Sequence, residues 1–191
     1  MSLGLQAVIW AVLGCGLGTA LDALHAYNGV LSYPHVAFGL QDWWVPPEFA
    51  LAGVAMGLGH RFIAVRLGGR PVPSAAPVEV LVGAAVFVAV YAASGWVQDT
   101  ALAYGVACVV AFMGLAWWTP RDARPALLWH ALGAAVMGPV VEATLSGLGL
   151  FRYHRPDVLG VPAWLPAIYL HAAVATAALD RWFNRSGGVR A

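Results

Sequence analysis

Lysine is absent from this chain of 191 residues, and charge of either sign is scarce. Charged side chains make up 10% of it, against roughly 25% in an ordinary soluble domain. A soluble domain of this length leaves about a third of its extended-chain surface in water, and so few charges cannot cover it. That excludes a soluble globular enzyme and a disordered tail. The net charge of +1 also excludes a nucleic-acid binder, which needs a basic face. Cysteine is nearly missing too. Cys15 and Cys108 both fall in apolar runs, where a thiol behaves as a small hydrophobe, so neither a disulfide nor a metal site is expected. No His-x-Glu, His-Glu-x-x-His or Cys-x-x-Cys spacing supports a catalytic zinc, and no Gly-x-Ser-x-Gly motif marks a nucleophile. No chain of charged residues crosses several apolar runs, as a proton-driven transporter would need. No basic segment precedes the apolar stretch Leu3 to Ala20, so it reads as a first membrane span rather than a cleaved signal peptide. No internal repeat is read along the chain.

What is present is hydrophobicity: 61% of residues are apolar, with a mean hydropathy of +0.74. A spanning helix needs about 20 mostly apolar residues. The charges and turn formers divide the chain into six such runs, at approximately 3–24, 47–66, 79–98, 101–119, 126–148 and 161–181. The breaks are too short, and the runs too uniformly apolar, for an outer-membrane barrel. The reading is a single all-α polytopic membrane domain over 1–191 with six transmembrane helices. Eight arginines (Arg61, Arg66, Arg70, Arg121, Arg124, Arg181, Arg185 and Arg190) fall on the side of the termini, and Arg152 and Arg155 on the other. The positive-inside bias places both termini in the cytoplasm. The membrane is the inner membrane if the chain is bacterial and the endoplasmic reticulum if it is eukaryotic. Abundant Ala, Gly, Val and Arg without Lys hints at a GC-rich bacterial genome.

An ionisable group inside a membrane is a functional candidate by default. Gly14, Gly18, Asp22 and His25 share one face of the first span by their spacing; the glycines permit close helix approach, and the alternative for Asp22 and His25 is that they merely reach the headgroups. Glu142 lies deep in the fifth run after Gly138 and Pro139, where a bare carboxylate must be protonated, paired or exposed to a cavity. A helix-to-helix hydrogen bond is the other reading. Glu48 follows Pro46-Pro47 at a helix start, where the dipole alone explains a carboxylate. Asp99 with Thr100 can cap the fourth helix. Tyr91 and Gln98 on the third span complete a polar set (Asp22, His25, Glu48, Tyr91, Gln98 and Glu142) expected to line a lipid cavity between the first, second, third and fifth helices. Apolar walls with a few placed polar groups suit an amphipathic ligand. The small faces Gly14/Gly18 and Gly53/Gly57 are candidates for a homo-oligomer interface. The competing readings are a membrane-embedded lipid-modifying enzyme using Glu142 and His25, and a small lipid transporter.

Three motifs in register add a family. Trp43-Trp44-Val45-Pro46-Pro47, then Gly114-Leu115-Ala116-Trp117-Trp118-Thr119 with the basic loop Arg121 to Arg124, then Tyr153, Pro156-Asp157-Val158-Leu159 and Ala163-Trp164-Leu165-Pro166 resemble the Insig family of sterol-regulatory membrane proteins. Asp22 and Asp99 fall where that family carries acidic residues in and after its first and third spans. The resemblance implies a protein that is not an enzyme and carries no cofactor. It would bind a sterol-like or diacylglycerol lipid in the membrane and engage sterol-sensing-domain proteins such as Scap or HMG-CoA reductase. The chain departs from the animal members in lacking lysine for ubiquitination. The lipid pocket is therefore the property expected to carry over best, and a bacterial membrane offers diacylglycerols and phospholipids more readily than sterols.

Overall fold

The computed structural model describes residues 1–67, 73–97 and 100–184. Gln98 and Asp99, named above for the cavity and the family motif, lie outside the described residues, as do Arg70, Arg185 and Arg190. Among the described residues the chain forms α1 (Leu3–Tyr27), β1 (Leu31–Ser32), α2 (Val45–Arg66), α3 (Pro77–Ser94), α4 (Ala101–Trp118), α5 (Arg124–Gly147), β2 (Arg152–Tyr153) and α6 (Leu165–Phe183). Proline in the first turn starts α2, α3, α5 and α6, where its missing N–H loses no intrahelical bond. Ser2 caps α1 through its hydroxyl, which accepts from the Leu5 amide at 3.3 Å. Thr100 does not cap α4 with its side chain; its hydroxyl donates backwards to the Val97 carbonyl.

Helices α1 to α5 are long and apolar enough to cross a membrane. Helix α6 is the polar one, and its position explains why. It runs through the centre of the bundle with α2, α3, α4 and α5 packed around it, so it can carry His171, Asp180 and Arg181 without showing them to lipid. His171, fully buried, lies 2.8 Å from the Cys108 carbonyl of α4. Arg181 is paired with Glu79 of α3.

The architecture contains a repeat, contrary to the reading of the sequence. The stretch α1–β1–α2 recurs as α5–β2–α6 at a shift of 120 residues, the separation of both Ser32 from Arg152 and His60 from Asp180. Helices α1 and α5 end in the same way. Gly29 and Gly149 adopt left-handed backbone, with φ of 67° and 74°. The next amides, Val30 and Leu150, bond back to the carbonyls of His25 and Leu145, the Schellman closure. A tight bridge follows in each copy, Phe38 to Gln41 and Val158 to Val161, and each second helix begins directly after a Trp, Trp44 or Trp164. Gly39 has φ 54° and its counterpart Leu159 has φ 51°, so the second copy keeps the bend without the glycine. Few identities survive between the copies (Tyr33/Tyr153, Trp44/Trp164 and Pro46/Pro166 among them), which is why composition and spacing did not expose it.

The copies are related by a pseudo-two-fold axis along the bundle. At one end β1 and β2 pair antiparallel, with Leu31 opposite Tyr153 and Ser32 opposite its own counterpart Arg152. At the other end His60 Nδ1 meets Asp180 Oδ2 at 2.8 Å, and these two are again counterparts. A residue touches its own counterpart only next to the axis, so these two contacts fix where it runs.

Within each copy the two helices meet through small residues. A Cβ on Gly14 would run into the Phe49 carbonyl and the Gly53 Cα, and one on Gly53 into the Trp10 carbonyl. Their counterparts, Ala134 and Ala173, are both buried. Gly18 seats the Phe49 ring and Gly138 seats the Tyr169 ring, again at matching positions. The Gly14/Gly18 and Gly53/Gly57 faces are thus consumed inside the chain, α1 against α2, and do not form an oligomer surface. The three glycines Gly14, Gly16 and Gly18 also carry a widened π-type turn, Gly14–Gly18, in α1. We predict that Gly53→Val destabilises the bundle by about 1–3 kcal/mol, the range for overpacking. Gly114→Val, which meets nothing within 4 Å, should be near neutral. Thermal unfolding of the two variants in detergent checks this; equal effects would contradict the close approach.

Candidate functional site

The turn that follows each first helix brings a tyrosine back over it. In the first copy the Tyr33 hydroxyl donates to Asp22 Oδ2 at 2.7 Å, eleven residues upstream. In the second, the Tyr153 hydroxyl donates to Glu142 Oε2, again eleven residues upstream. Asp22 and Glu142 are themselves counterparts, so the repeat builds the same acid–phenol pair twice, once on each side of the axis. Asp22 takes a second bond from Gln41 Nε2 at 2.6 Å, and the same nitrogen also donates to the Thr19 carbonyl at 3.0 Å. Glu142 takes its second bond from the Tyr169 hydroxyl at 2.7 Å.

Between the two pairs lies a chamber lined by Asp22, Glu48, Glu142, Tyr33, Tyr91, Tyr169, Trp44, Phe49, Leu31, Leu145 and Phe151. Both copies contribute, the first through Asp22, Leu31, Tyr33, Trp44, Glu48 and Phe49 and the second through Glu142, Leu145, Phe151 and Tyr169. Helix α3 adds Tyr91. The aromatic cluster of Tyr33, Trp44, Phe151 and Tyr153, whose neighbouring ring centroids lie 5.4–6.5 Å apart, closes the chamber on the strand side. The unfilled volume is about 20 Å³, room for roughly one water-sized group. Three carboxylates thus meet in one small apolar-walled space. In low dielectric such groups hold only when each is hydrogen-bonded or protonated.

The candidates from the sequence separate cleanly. Asp22, Glu48, Tyr91 and Glu142 converge on this chamber. Asp22 is buried within the protein at 5% exposure. Glu48 is in the first turn of α2 and also faces the chamber, so the dipole is not its whole environment. His25 is buried but stands behind the wall. Its ring stacks on Tyr91 with centroids 4.2 Å apart, and its Nε2 lies 2.8 Å from the Ser94 hydroxyl. Ser94 in turn donates to the Tyr91 carbonyl at 2.6 Å, so His25 positions Tyr91. Among the motif residues, Trp44 lines the chamber, Tyr153 and Trp164 belong to the buried aromatic cluster, and Pro46, Pro47 and Pro166 start their helices. Pro156 leads into Asp157, whose carboxylate takes the Ala163 amide at 2.8 Å. Trp43, Trp117 and Trp118 are exposed, as interfacial tryptophans are.

Sequence reading missed Tyr33, Trp44, Phe49 and Tyr169 as chamber residues. It also missed a second polar group at the terminus end, where His60 and Asp180 join Asn184, Arg61 and Gln6. Asn184 donates to Asp180 Oδ1 at 2.8 Å and accepts from Arg61 at 3.1 Å and from Gln6 at 3.0 Å. The signal available for the first set was the matched acid-to-tyrosine spacing in the two halves.

No protein-family model matches this chain. Whole-chain relatives do. It is 25% identical to the Insulin-induced gene 1 protein of Gallus gallus over 92% of this chain and 71% of that one. With the Insulin-induced gene 2 protein of the same species it shares 25% over 95% of this chain and 81% of that one. The chain resembles the Insig proteins along nearly its whole length. Its fold matches that of MvINS, an Insig homologue from Mycobacterium vanbaalenii, with a TM-score of 0.78 at 22% identity, covering 96% of this chain and 97% of that one. A cross-linked trimer of MvINS matches equally well. The acid–phenol chamber is therefore set in an Insig fold, in an integral membrane protein.

Burial and the adjacent Asp22 carboxylate push the Tyr33 phenol well above its ordinary range, and burial with Glu142 does the same for Tyr153. Both stay protonated donors in the folded chain. A raised phenol pKa stabilises the fold fully below the unfolded value, about pH 10, and this contribution is lost as pH rises above it. The unfolding temperature in detergent should thus fall above about pH 10, and Tyr33→Phe should soften that fall while lowering stability at neutral pH. An alkaline profile unchanged in Tyr33→Phe would count against a buried donor.

Proposed function

We propose that this Insig-like chain is a non-enzymatic regulatory protein of the membrane, and that its chamber holds the hydroxyl head of a neutral lipid, sterol-like or diacylglycerol-like. The observation that carries this is the convergence of Asp22, Glu48 and Glu142 with Tyr33, Tyr91 and Tyr169 on one chamber on the pseudo-two-fold axis. Carboxylate oxygens repel a phosphate or a fatty-acid carboxylate and accept from a hydroxyl, so the chemistry favours an uncharged alcohol. A space of about 20 Å³ takes that hydroxyl and no more. The hydrocarbon of the ligand then runs out between α1, α2, α3 and α5, past Phe49 and Tyr169, whose rings move aside to admit it.

The placement of His25 bears on the enzyme alternative. Its Nε2 is engaged by Ser94 and the Tyr91 carbonyl, away from Glu142, so that pairing gains no support. The arginine bias supports cytoplasmic termini, and the trimer of the related MvINS supports a homo-oligomer. Sterol-sensing-domain proteins remain the partner class by family likeness alone. A chain from a bacterium would sit in the inner membrane and one from a eukaryote in the endoplasmic reticulum.

The test is mass spectrometry of lipids retained after gentle detergent purification. A neutral hydroxylated lipid enriched above its membrane share at near-stoichiometric amounts is expected. Glu142→Leu should lose most of it with the bundle still folded. Retained lipid that mirrors the bulk membrane, or enrichment that survives both Glu142→Leu and Asp22→Asn, would overturn the assignment.

A further inference from the structure

The repeat is broken at the outer start of its second copy, where charge appears. Helix α1 starts with Leu3 and Gly4, whereas the matching start of α5 carries Arg124, preceded by Arg121. Below these two arginines the outer surface of α5 is grooved. Arg121, Arg124, Pro125, Leu128, Trp129 and Leu132 enclose a hollow of about 450 Å³, far larger than the space in the chamber. Its upper rim is basic and its floor is apolar, and Leu128, Trp129 and Leu132 are all exposed.

The upper rim is preorganised. Arg124 donates through Nη2 to the carbonyls of Trp117 and Thr119 at 2.6 and 3.1 Å, which satisfies the end of α4. Its guanidinium carbon also lies 4.9 Å from the Trp117 ring centre. The Nε–H of Arg124 is shielded and has no acceptor, although the group borders the groove. Among the described residues neither arginine makes an ion pair, and Asp122 between them is exposed. Two further features favour an anion there. The positive end of α5, 24 residues long, opens at this point, and exposed Trp117, Trp118 and Trp129 mark headgroup level.

We propose that this groove docks one anionic phospholipid, its phosphate taken by the exposed Arg121 beside the positive charge of Arg124 and an acyl chain laid along Leu128, Trp129 and Leu132. The groove lies on the outer face of α5, at the terminus end of the bundle, while Glu142 of the same helix faces the inner chamber. The two sites therefore take lipids of opposite chemistry: a neutral alcohol inside, a phosphodiester outside. Basic clusters at the ends of membrane helices are natural sites for anionic headgroups.

Native mass spectrometry of the full chain in detergent, titrated with phosphatidylglycerol or phosphatidylcholine, tests this. The first phosphatidylglycerol should bind several-fold more tightly than phosphatidylcholine. Arg121→Gln should weaken it about fivefold, the equivalent of roughly 1 kcal/mol per basic residue at the headgroups. Trp129→Ala should weaken both lipids, and Arg124→Lys should weaken phosphatidylglycerol while keeping the charge. Glu142→Gln, which alters the chamber, should leave phosphatidylglycerol unchanged. Equal retention of the two lipids, or unchanged phosphatidylglycerol affinity in a folded Arg121→Gln, would overturn the proposal. Loss of phosphatidylglycerol in Glu142→Gln alone would move the site into the chamber. Full displacement of the lipid by inorganic phosphate, with no dependence on Trp129, would reduce the groove to a free-anion site and overturn the lipid.

Discussion

A carboxylate placed inside a membrane must be given hydrogen-bond donors, and much of this fold follows from meeting that demand twice. Asp22 and Glu142 each need a hydroxyl, and each receives it from a tyrosine eleven residues later in the same copy. Eleven residues return to the helix only if the helix stops, turns back over its own end and runs briefly extended. The left-handed glycines Gly29 and Gly149 provide the stop and turn. The extended residues then have unpaired backbone groups, which in a membrane protein must be satisfied internally. Each copy satisfies the other by pairing β1 with β2. That pairing sets the two copies about one axis, and the chamber forms where the acid–phenol pairs face each other across it.

Close packing holds the acids where the tyrosines can reach them. Gly14 against Gly53 lets α1 lie on α2 at backbone contact, and Gly18 makes room for Phe49, a chamber wall. In the second copy alanines take the place of Gly14 and Gly53, and Tyr169 replaces Phe49, adding the phenol that gives Glu142 its second bond. Asp22 gains its own second bond from Gln41, whose counterpart is Val161. Each half thus satisfies its acid with one shared donor and one private donor. The private donors differ in position, and this makes the chamber asymmetric although its frame is not.

Much of the helical frame was legible in the sequence because charge is so scarce that the few charged residues and turn formers punctuate it. Asp22, Glu48 and Glu142 were legible for the same reason: a carboxylate in or at the head of an apolar run stands out. His25 stood out too, but a lone histidine carries no indication of whether it lines a wall or braces one, and it braces Tyr91. Tyr33, Phe49 and Tyr169 were not legible, since an aromatic in or beside a membrane span is ordinary. Nor was the polarity of α6 informative alone, because Asp180 and Arg181 read equally as the boundary of a span or as the interior of a shielded helix. Only the repeat separates these cases, and it survives in backbone turns and small-residue positions more than in residue identity.

The deepest consequence of the repeat lies where it fails. Inherited symmetry accounts for the axis, the strand pair, the acid–phenol pairs and the seats for Phe49 and Tyr169. It does not account for Glu48, whose counterpart is Ile168, or for His25, whose counterpart is Leu145. It does not account for Tyr91 from α3 or for the arginines at the head of α5. Glu48 and Tyr91 bring a third carboxylate and a further phenol to a chamber that the symmetric frame would have left with one pair on each side. His25 and Ser94 then fix Tyr91 from behind. A half-buried third acid without a charged partner is a burden on the fold, and no packing need of the second copy calls for one, since Ile168 fills the matching position with hydrocarbon. Symmetric features are explained by building the bundle. The asymmetric ones burden it, and they collect at the chamber and at the basic groove.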